Sequence, residues 1–347
     1  MENLTPVLPR STFQKHRIQK TEVGRQKSEN RFLFSVFCLL FSVSCLLTGC
    51  GPKYTYPANS VPKSIEDIDR KEYKIESTAR VVGKTVGVLC YVDSITDAKG
   101  QIPKDFFETM GKAMGVIVRV SLASDLPVDF CTVIMRDRKN SNELVITRSL
   151  DDVRRVEAYV ISLEEASNRQ VISQGKPNPE IENSGNFVLK EVKLPNFLAD
   201  QIVQRIRFSF SKEPRQEEIP HNTILVDGLF DNEPSERSFR FSMISIKTED
   251  PKKIILSIFK IINDVLKSYS FNEFDKIEVQ DYLNRKKLVV NRQMILDYQQ
   301  KKITEAQVLE KCLVESQSIQ EAFKLFGFSP PQEAAEKDAA VPRPATP

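Results

Sequence analysis

Apolar and polar positions alternate in two separated stretches of this chain, and each alternation is followed by the same run of elements. In "TVGVLCYVD", Val86, Val88, Cys90 and Val92 recur at every second position, the period of a strand with one buried face. Beyond a loop containing Gly100, Pro103 opens a segment whose Phe106, Met110, Met114 and Ile117 fall three or four apart, which predicts a helix with one apolar face. Two short apolar stretches follow, "FCTVIMRD" and "ELVITR", parted by the polar turn "RKNSN". The second half repeats the order. "FRFSMISI" precedes Pro251, then Ile254, Ile258, Ile261 and Val265 share one helical face, and "KIEVQDY", the turn "LNRK" and "KLVVNR" complete the set.

The spacing between the halves is regular as well. Pro103 and Pro251 are 148 apart, whereas Val133 and Ile277, Met135 and Val279, Asp137 and Asp281, Leu144 and Leu288, and Arg148 and Arg292 are each 144 apart. A four-residue deletion between helix and strand reconciles the two values. The pattern predicts an α+β fold from two related strand-helix-strand-strand units, as two domains or as one pseudosymmetric sheet. Helices would lie on one face of a largely antiparallel sheet, and Arg148 and Arg292 would leave matching strand ends. Thr304 with Gln307 matches a capping box, and Val308, Leu309, Cys312 and Leu313 extend an apolar face, which predicts a C-terminal helix to about Phe326. "LPNFLADQIVQRI", from Leu194, predicts a further helix.

Polar breaks divide the chain. After residues 1–49, residues 50–80 carry Pro52, Pro57, Pro62 and the charged "KSIEDIDRKEYK", and read as a tether. The first unit then spans 81–174, and "QGKPNPEIENSGN" marks a linker over 175–190. The second unit with its terminal helix spans 191–328, and 329–347, rich in Pro and Ala, reads as a disordered tail.

The N-terminal part has a different character. From Phe32 to Leu47 no residue is charged, and these sixteen residues make about 24 Å of helix, short of the ~30 Å hydrocarbon core of a bilayer. Seven basic residues against Glu2, Glu22 and Glu29 precede the run, the charge bias of a segment whose C-terminal side is exported. Leu47-Thr48-Gly49-Cys50 then resembles the lipobox of bacterial lipoproteins, with an apolar residue, two small residues and a cysteine. Cys38 and Cys45 lack that context: Phe37 precedes the one, and Ser42 stands three before the other. The resemblance covers the signal segment alone. It implies removal of residues 1–49 by cleavage between Gly49 and Cys50, a diacylglyceryl thioether on Cys50, and usually an N-acyl chain such as palmitate. Gly51, rather than Asp, after the cysteine implies delivery to the outer membrane, facing the periplasm.

Removing residues 1–49 changes the charge reading. The 50 basic and 47 acidic residues become 43 and 44, so the mature chain is near neutral and gives no electrostatic case for nucleic acid. Its cysteines are Cys90, Cys131 and Cys312, and Cys90 with Cys131 lie on predicted strands that would allow a disulfide if adjacent, or else two buried thiols.

Candidate chemistry is sparse. "VVGKT" lacks the glycine five positions before Gly83 that a phosphate loop needs, having Thr78 there. Asp227, Asp231, Glu233 and Glu236 cluster in "DGLFDNEPSE", a weak metal candidate without the calcium-loop pattern and more simply an acidic hairpin. His221 is the one histidine left after cleavage, which excludes multi-histidine zinc sites. No catalytic residue and no cofactor motif is singled out. Two functions remain: a lipid-anchored binding, scaffold or assembly protein that meets an envelope protein through a sheet face or edge, or a periplasm-facing carboxylate hydrolase. Absence of catalytic motifs favours the first.

Overall fold

Folded structure starts earlier than the apolar pattern predicts. The computed structural model describes residues 54–97, 101–139, 142–176, 187–211, 224–245 and 250–315. Helix α1 (Val61–Ile68) places Val61, Ile65 and Ile68 on one face and its charges on the other, and Val61 and Ile65 are fully buried. It continues into one wider, π-type turn, Asp69–Tyr73, and stops where Lys74 turns left-handed. Strand β1 (Ser77–Val82) follows, so residues 58–80 are part of the first unit and not a tether. Few apolar residues suffice because they fall at helical spacing against a ready core.

The rest of the first unit builds one sheet. β1 and β2 (Thr85–Val92) are joined by Gly83-Lys84, and the φ of 55° at Gly83 is the left-handed geometry that two-residue hairpin loops favour. Helix α2 (Lys104–Leu122) crosses to β3 (Phe130–Asp137), which runs parallel to β2. Antiparallel β4 (Glu143–Ser149), helices α3 (Leu150–Glu157) and α4 (Leu163–Arg169), and β5 (Val171–Gly175) complete the order β1-β2-β3-β4-β5.

The second unit follows the same plan. Helix α5 (Leu194–Ser211) leads into the hairpin β6 (Ile224–Glu233) and β7 (Glu236–Ser245), and α6 (Pro251–Ser268) crosses to β8 (Lys276–Asp281), parallel to β7. Then come β9 (Lys286–Asn291), α7 (Arg292–Gln299), α8 (Glu305–Cys312) and β10 (Leu313–Glu315), in the order β10-β9-β8-β7-β6. Each unit is therefore helix, two strands, helix, two strands, two helices, strand. The predicted strand-helix-strand-strand order sits inside this longer repeat. The class is α+β, with two five-stranded, mostly antiparallel sheets and, among the described residues, eight α-helices alongside them.

Hydrogen bonds at the strand ends show how deep the correspondence goes. Asp129 N–H donates to Lys84 O and Leu150 N–H to Asp129 O; Asp275 N–H donates to Arg237 O and Arg292 N–H to Asp275 O. Even the ion pair recurs, Lys84–Asp129 at 3.1 Å and Arg237–Asp275 at 3.6 Å. At the opposite ends, Asp137 accepts from Ser94 and Ile95 N–H, and Asp281 from Ser245 and Asn284 N–H. The 144 spacing holds at that end only. β3 has 8 residues and β8 has 6, so Ser149 and Asn291, which precede α3 and α7, are 142 apart. Arg148 consequently lies inside β4 while Arg292 opens α7, which corrects the expected match. The change is by two residues, which leaves every side chain on its original face.

Each sheet buries one face under its crossover helix. Val86, Val88, Cys90, Cys131, Val133 and Met135 meet Ala113, Met114, Ile117 and Val120 of α2, while Phe239, Phe241, Ile277, Val279, Leu288 and Val290 meet Ile254, Ile258, Ile262 and Val265 of α6. Phe130 of β3 packs on Phe197 of α5 at 5.0 Å between ring centroids, joining the two halves. β2 and β3 are neighbours, yet Cys90 stands opposite Met135 and Cys131 opposite Val86. Four strand residues put the two about 13 Å apart, beyond the ~7 Å limit of a disulfide. Both thiols are free, and burial pushes them up to about 12.

Two further expectations are corrected. In the linker 175–190, Phe187 and Leu189 are buried on the first sheet, because that sheet's outward face is apolar at Leu89, Ile134 and Val145. The C-terminal helix ends at Cys312, where β9 offers an open edge and Leu313–Glu315 pair with it as β10. The signal segment 1–49, Cys50, His221 and the tail 329–347 lie outside the described residues. Among the described residues, no helix is long and apolar enough to cross a membrane.

Candidate functional site

A sheet protein can receive a partner at an unpaired edge or on an uncovered face. Three of the four edges are blocked by side chains. On β1, Ala79 N–H donates to Glu66 of α1 at 2.9 Å. On β5, Ile172 N–H donates to Gln204 of α5 at 2.7 Å, and on β6 the Val226 carbonyl accepts from Arg207 of α5 at 2.7 Å. Asp227 also takes up the next edge donor, Gly228 N–H. α1 and α5 thus hold equivalent places before their hairpins and do the same work.

The outward faces differ between the units. Phe187 and Leu189 lie across the first, Val192 N–H donates to Thr85 Oγ1 at 2.9 Å, and Arg80 stacks over the Phe187 ring at 5.8 Å. Gly87 makes room for this segment, since a Cβ there would meet Leu189 at 2.5 Å. Further along the same face, Arg136 pairs with Glu143 on the adjacent strand and lies over the Tyr91 ring at 5.9 Å. The second sheet has no such cover among the described residues, and its outward face is a lattice of ion pairs. Lys276 and Lys287 reach Glu278 at 2.8 and 2.9 Å, and Arg240 reaches Asp231 at 3.1 Å. Leu225 and Leu229, 44% and 54% exposed, flank it on β6. Burial would raise the Glu278 carboxyl, but hydrogen bonds from Lys276 and Lys287 outweigh it and hold it below the usual range. This broad face of mixed charge is the candidate binding surface.

A buried polar junction lies between the units. Arg169 pairs with Asp152 at 3.0 Å and Glu165 at 2.9 Å, and Arg205 of α5 also reaches Glu165 at 3.1 Å. Tyr269, after α6, donates its hydroxyl to Asp152 and lies under the Arg169 guanidinium at 5.3 Å. Gln201 donates to the Arg169 carbonyl, and Arg155 to the Ser268 carbonyl at 2.8 Å. Burial, then the Asp152 charge, pushes the Tyr269 hydroxyl well up. Glu165 is held low by Arg169 and Arg205 against burial. A cleft of about 440 Å³ opens beside the junction, lined by Glu165, Ile172, Gln204, Arg205, Phe208 and Asp264. Asp152 and Glu165 are committed to arginines and Tyr269 is held protonated, so the arrangement fits a lock between units better than proton transfer.

The sequence-selected acidic residues do not converge. Asp227, Asp231 and Glu233 all lie on β6, whose rise puts about 13 Å between the first two. Asp231 pairs with Arg240, and among the described residues no group of three or more His, Cys, Asp or Glu is placed to hold a metal ion. Asp152, Arg169 and Tyr269 were not singled out from sequence. Asp152 and Tyr269 are 117 positions apart, and nothing local marks either.

No family model and no curated protein matches the chain. Among solved structures it is similar to one titled "Crystal structure of Sex pheromone staph-cAM373 precursor", at 8% identity over 67% of this chain and 78% of that one, with a TM-score of 0.20. A likeness that low carries no argument about fold or function.

Proposed function

We propose that the protein is a bacterial lipoprotein, anchored through Cys50 in the outer membrane and facing the periplasm, where it binds or scaffolds another envelope protein through the outward face of its second sheet. The observation that carries this reading is Leu47-Thr48-Gly49-Cys50 after an uncharged run of signal length. Small residues before the cysteine suit a peptidase that approaches the backbone closely. Two or three acyl chains on one residue give stable attachment, since each buried methylene adds about 0.8 kcal/mol. The ionic face, uncovered among the described residues, supports a docking role by charge complementarity, which governs specificity and encounter rate more than affinity.

Mass spectrometry of the N-terminal peptide tests the anchor. The expected species starts at Cys50 and carries diacylglycerol and an acyl chain, and Cys50→Ser accumulates as uncleaved precursor. An unmodified Cys50, or a mature terminus elsewhere, overturns the reading. Membrane fractionation tests the sorting, and recovery in the inner membrane alone contradicts outer-membrane delivery.

A further inference from the structure

The turn from α3 into α4 and the turn from α7 into α8 share one backbone. Tyr159 and Lys301 are both left-handed, with φ of 57° and 59°. Val160 N–H donates to Arg155 O as Lys302 N–H does to Asp297 O, and Ser162 and Thr304 then cap the following helices. The side chains are opposite in character. Where the second unit has Lys301, Lys302 and Glu305, the first has Tyr159, Val160 and Leu163, which are 95%, 68% and 75% exposed. The polar set supports the same turn, so folding does not require three large apolar groups in water. Clustered exposed apolar side chains mark a surface that something else covers.

The position of this tip says what covers it. Thr55 and Tyr56 N–H donate to Ala123 O at the end of α2, and Tyr56 bridges to Ser124, on the loop leading into β3. β3 starts at Phe130, which pairs with Ser149, the residue before α3, and β5 returns beside Thr147. Chain entry and the α3–α4 excursion therefore leave the same end of the first sheet. Four residues from Cys50 to Tyr54 span at most about 14 Å. An anchored Cys50 thus holds this end of the first unit at the membrane surface, with no long tether between them.

We propose that Tyr159, Val160 and Leu163 enter the headgroup–acyl boundary of the bilayer that holds Cys50, as a second contact that sets the orientation of the protein. The proposal rests on the lipid-anchor reading. Tyrosine suits that depth, with an apolar ring and a hydroxyl that stays wet. Glu157 and Glu164 flank the tip and are exposed, so the contact is apolar and does not depend on anionic lipid.

The sequence contains no tryptophan, so a single one reports its own surroundings. The mature, full-length protein carrying Tyr159→Trp is reconstituted into phosphatidylcholine vesicles with and without brominated acyl chains; Leu163→Trp gives a second probe of the tip, and Lys301→Trp marks the equivalent turn. The expected result is a blue shift and quenching by brominated lipid for the two tip variants, and neither for Lys301→Trp. The same samples are analysed by mass spectrometry. Acylated Cys50 with both tip probes unquenched overturns the insertion and leaves the anchor standing. An unacylated Cys50 overturns both.

Discussion

The two units share a backbone plan down to strand-end hydrogen bonds, yet they treat their outward faces and junctions differently. The first covers its outer sheet face with Phe187 and Leu189, buries Asp152 with Arg169, and exposes an apolar tip. The second carries a half-buried lattice of Lys, Arg, Asp and Glu on that face, uncovered among the described residues, has Met294 in the place of Asp152, and carries lysines on the matching turn. A repeated fold constrains which positions face the core and which cap an end. It leaves the solvent side of each copy free to take a different task.

The buried pair should show the largest effect. Arg169→Met leaves Asp152 buried without its cation and is expected to destabilise by about 3–5 kcal/mol in urea unfolding. Adding Asp152→Met, which imitates the second unit, should recover much of that loss. A double variant no better than the single one would mean that the two copies are not interchangeable at this point.

Next comes the cover. Leu189→Ala is expected to cost about 2–5 kcal/mol, against roughly 0.5 kcal/mol or less for Leu229→Ala on the open face. Equal losses would erase the distinction between a covered face and a free one.

A pH effect sharpens the contrast further, because it belongs to the first unit. Burial pushes the Asp69 carboxyl up to about 6, against the Ser77 hydroxyl that donates to it at 2.7 Å. The folded state therefore binds this proton more tightly than the unfolded chain. Its stabilising contribution is complete below about pH 4 and is lost as pH rises through 6, a change on the order of 1–3 kcal/mol. Asp69→Asn should flatten that part of the stability–pH curve. An unchanged slope would assign it to other groups.

The smallest effect is expected at the tip. Tyr159→Lys with Val160→Lys installs the second unit's residues on the same turn and should stay within about 0.5 kcal/mol of the wild type by thermal unfolding. A larger loss would show that the first turn packs in a way the second does not.

Much of the fold was legible because apolar spacing reports directly on burial. Val86, Val88 and Cys90 at period two, and Ile254, Ile258 and Val265 at helical spacing, all face their cores, and the Thr304–Gln307 capping box forms as expected. Less legible were segments with few apolar residues. α1 has three at helical spacing inside a charged stretch, and Phe187 and Leu189 stand at the end of a polar break. Leu313 continued the apolar helical pattern of α8 and became a strand, since the edge of β9 offered hydrogen bonds that a helix end lacks.

By itself the sequence determined the α+β class and the doubled strand-helix-strand-strand order, because each is built from elements whose residues lie close together in the chain. Tertiary structure decided that Cys90 and Cys131 stay apart, that Asp152 finds Arg169 and Tyr269, and that Phe187 and Leu189 cover the first sheet. Those outcomes depend on register and on contacts between segments far apart in sequence. Local periodicity sets which face of an element is apolar, and only packing selects what meets that face.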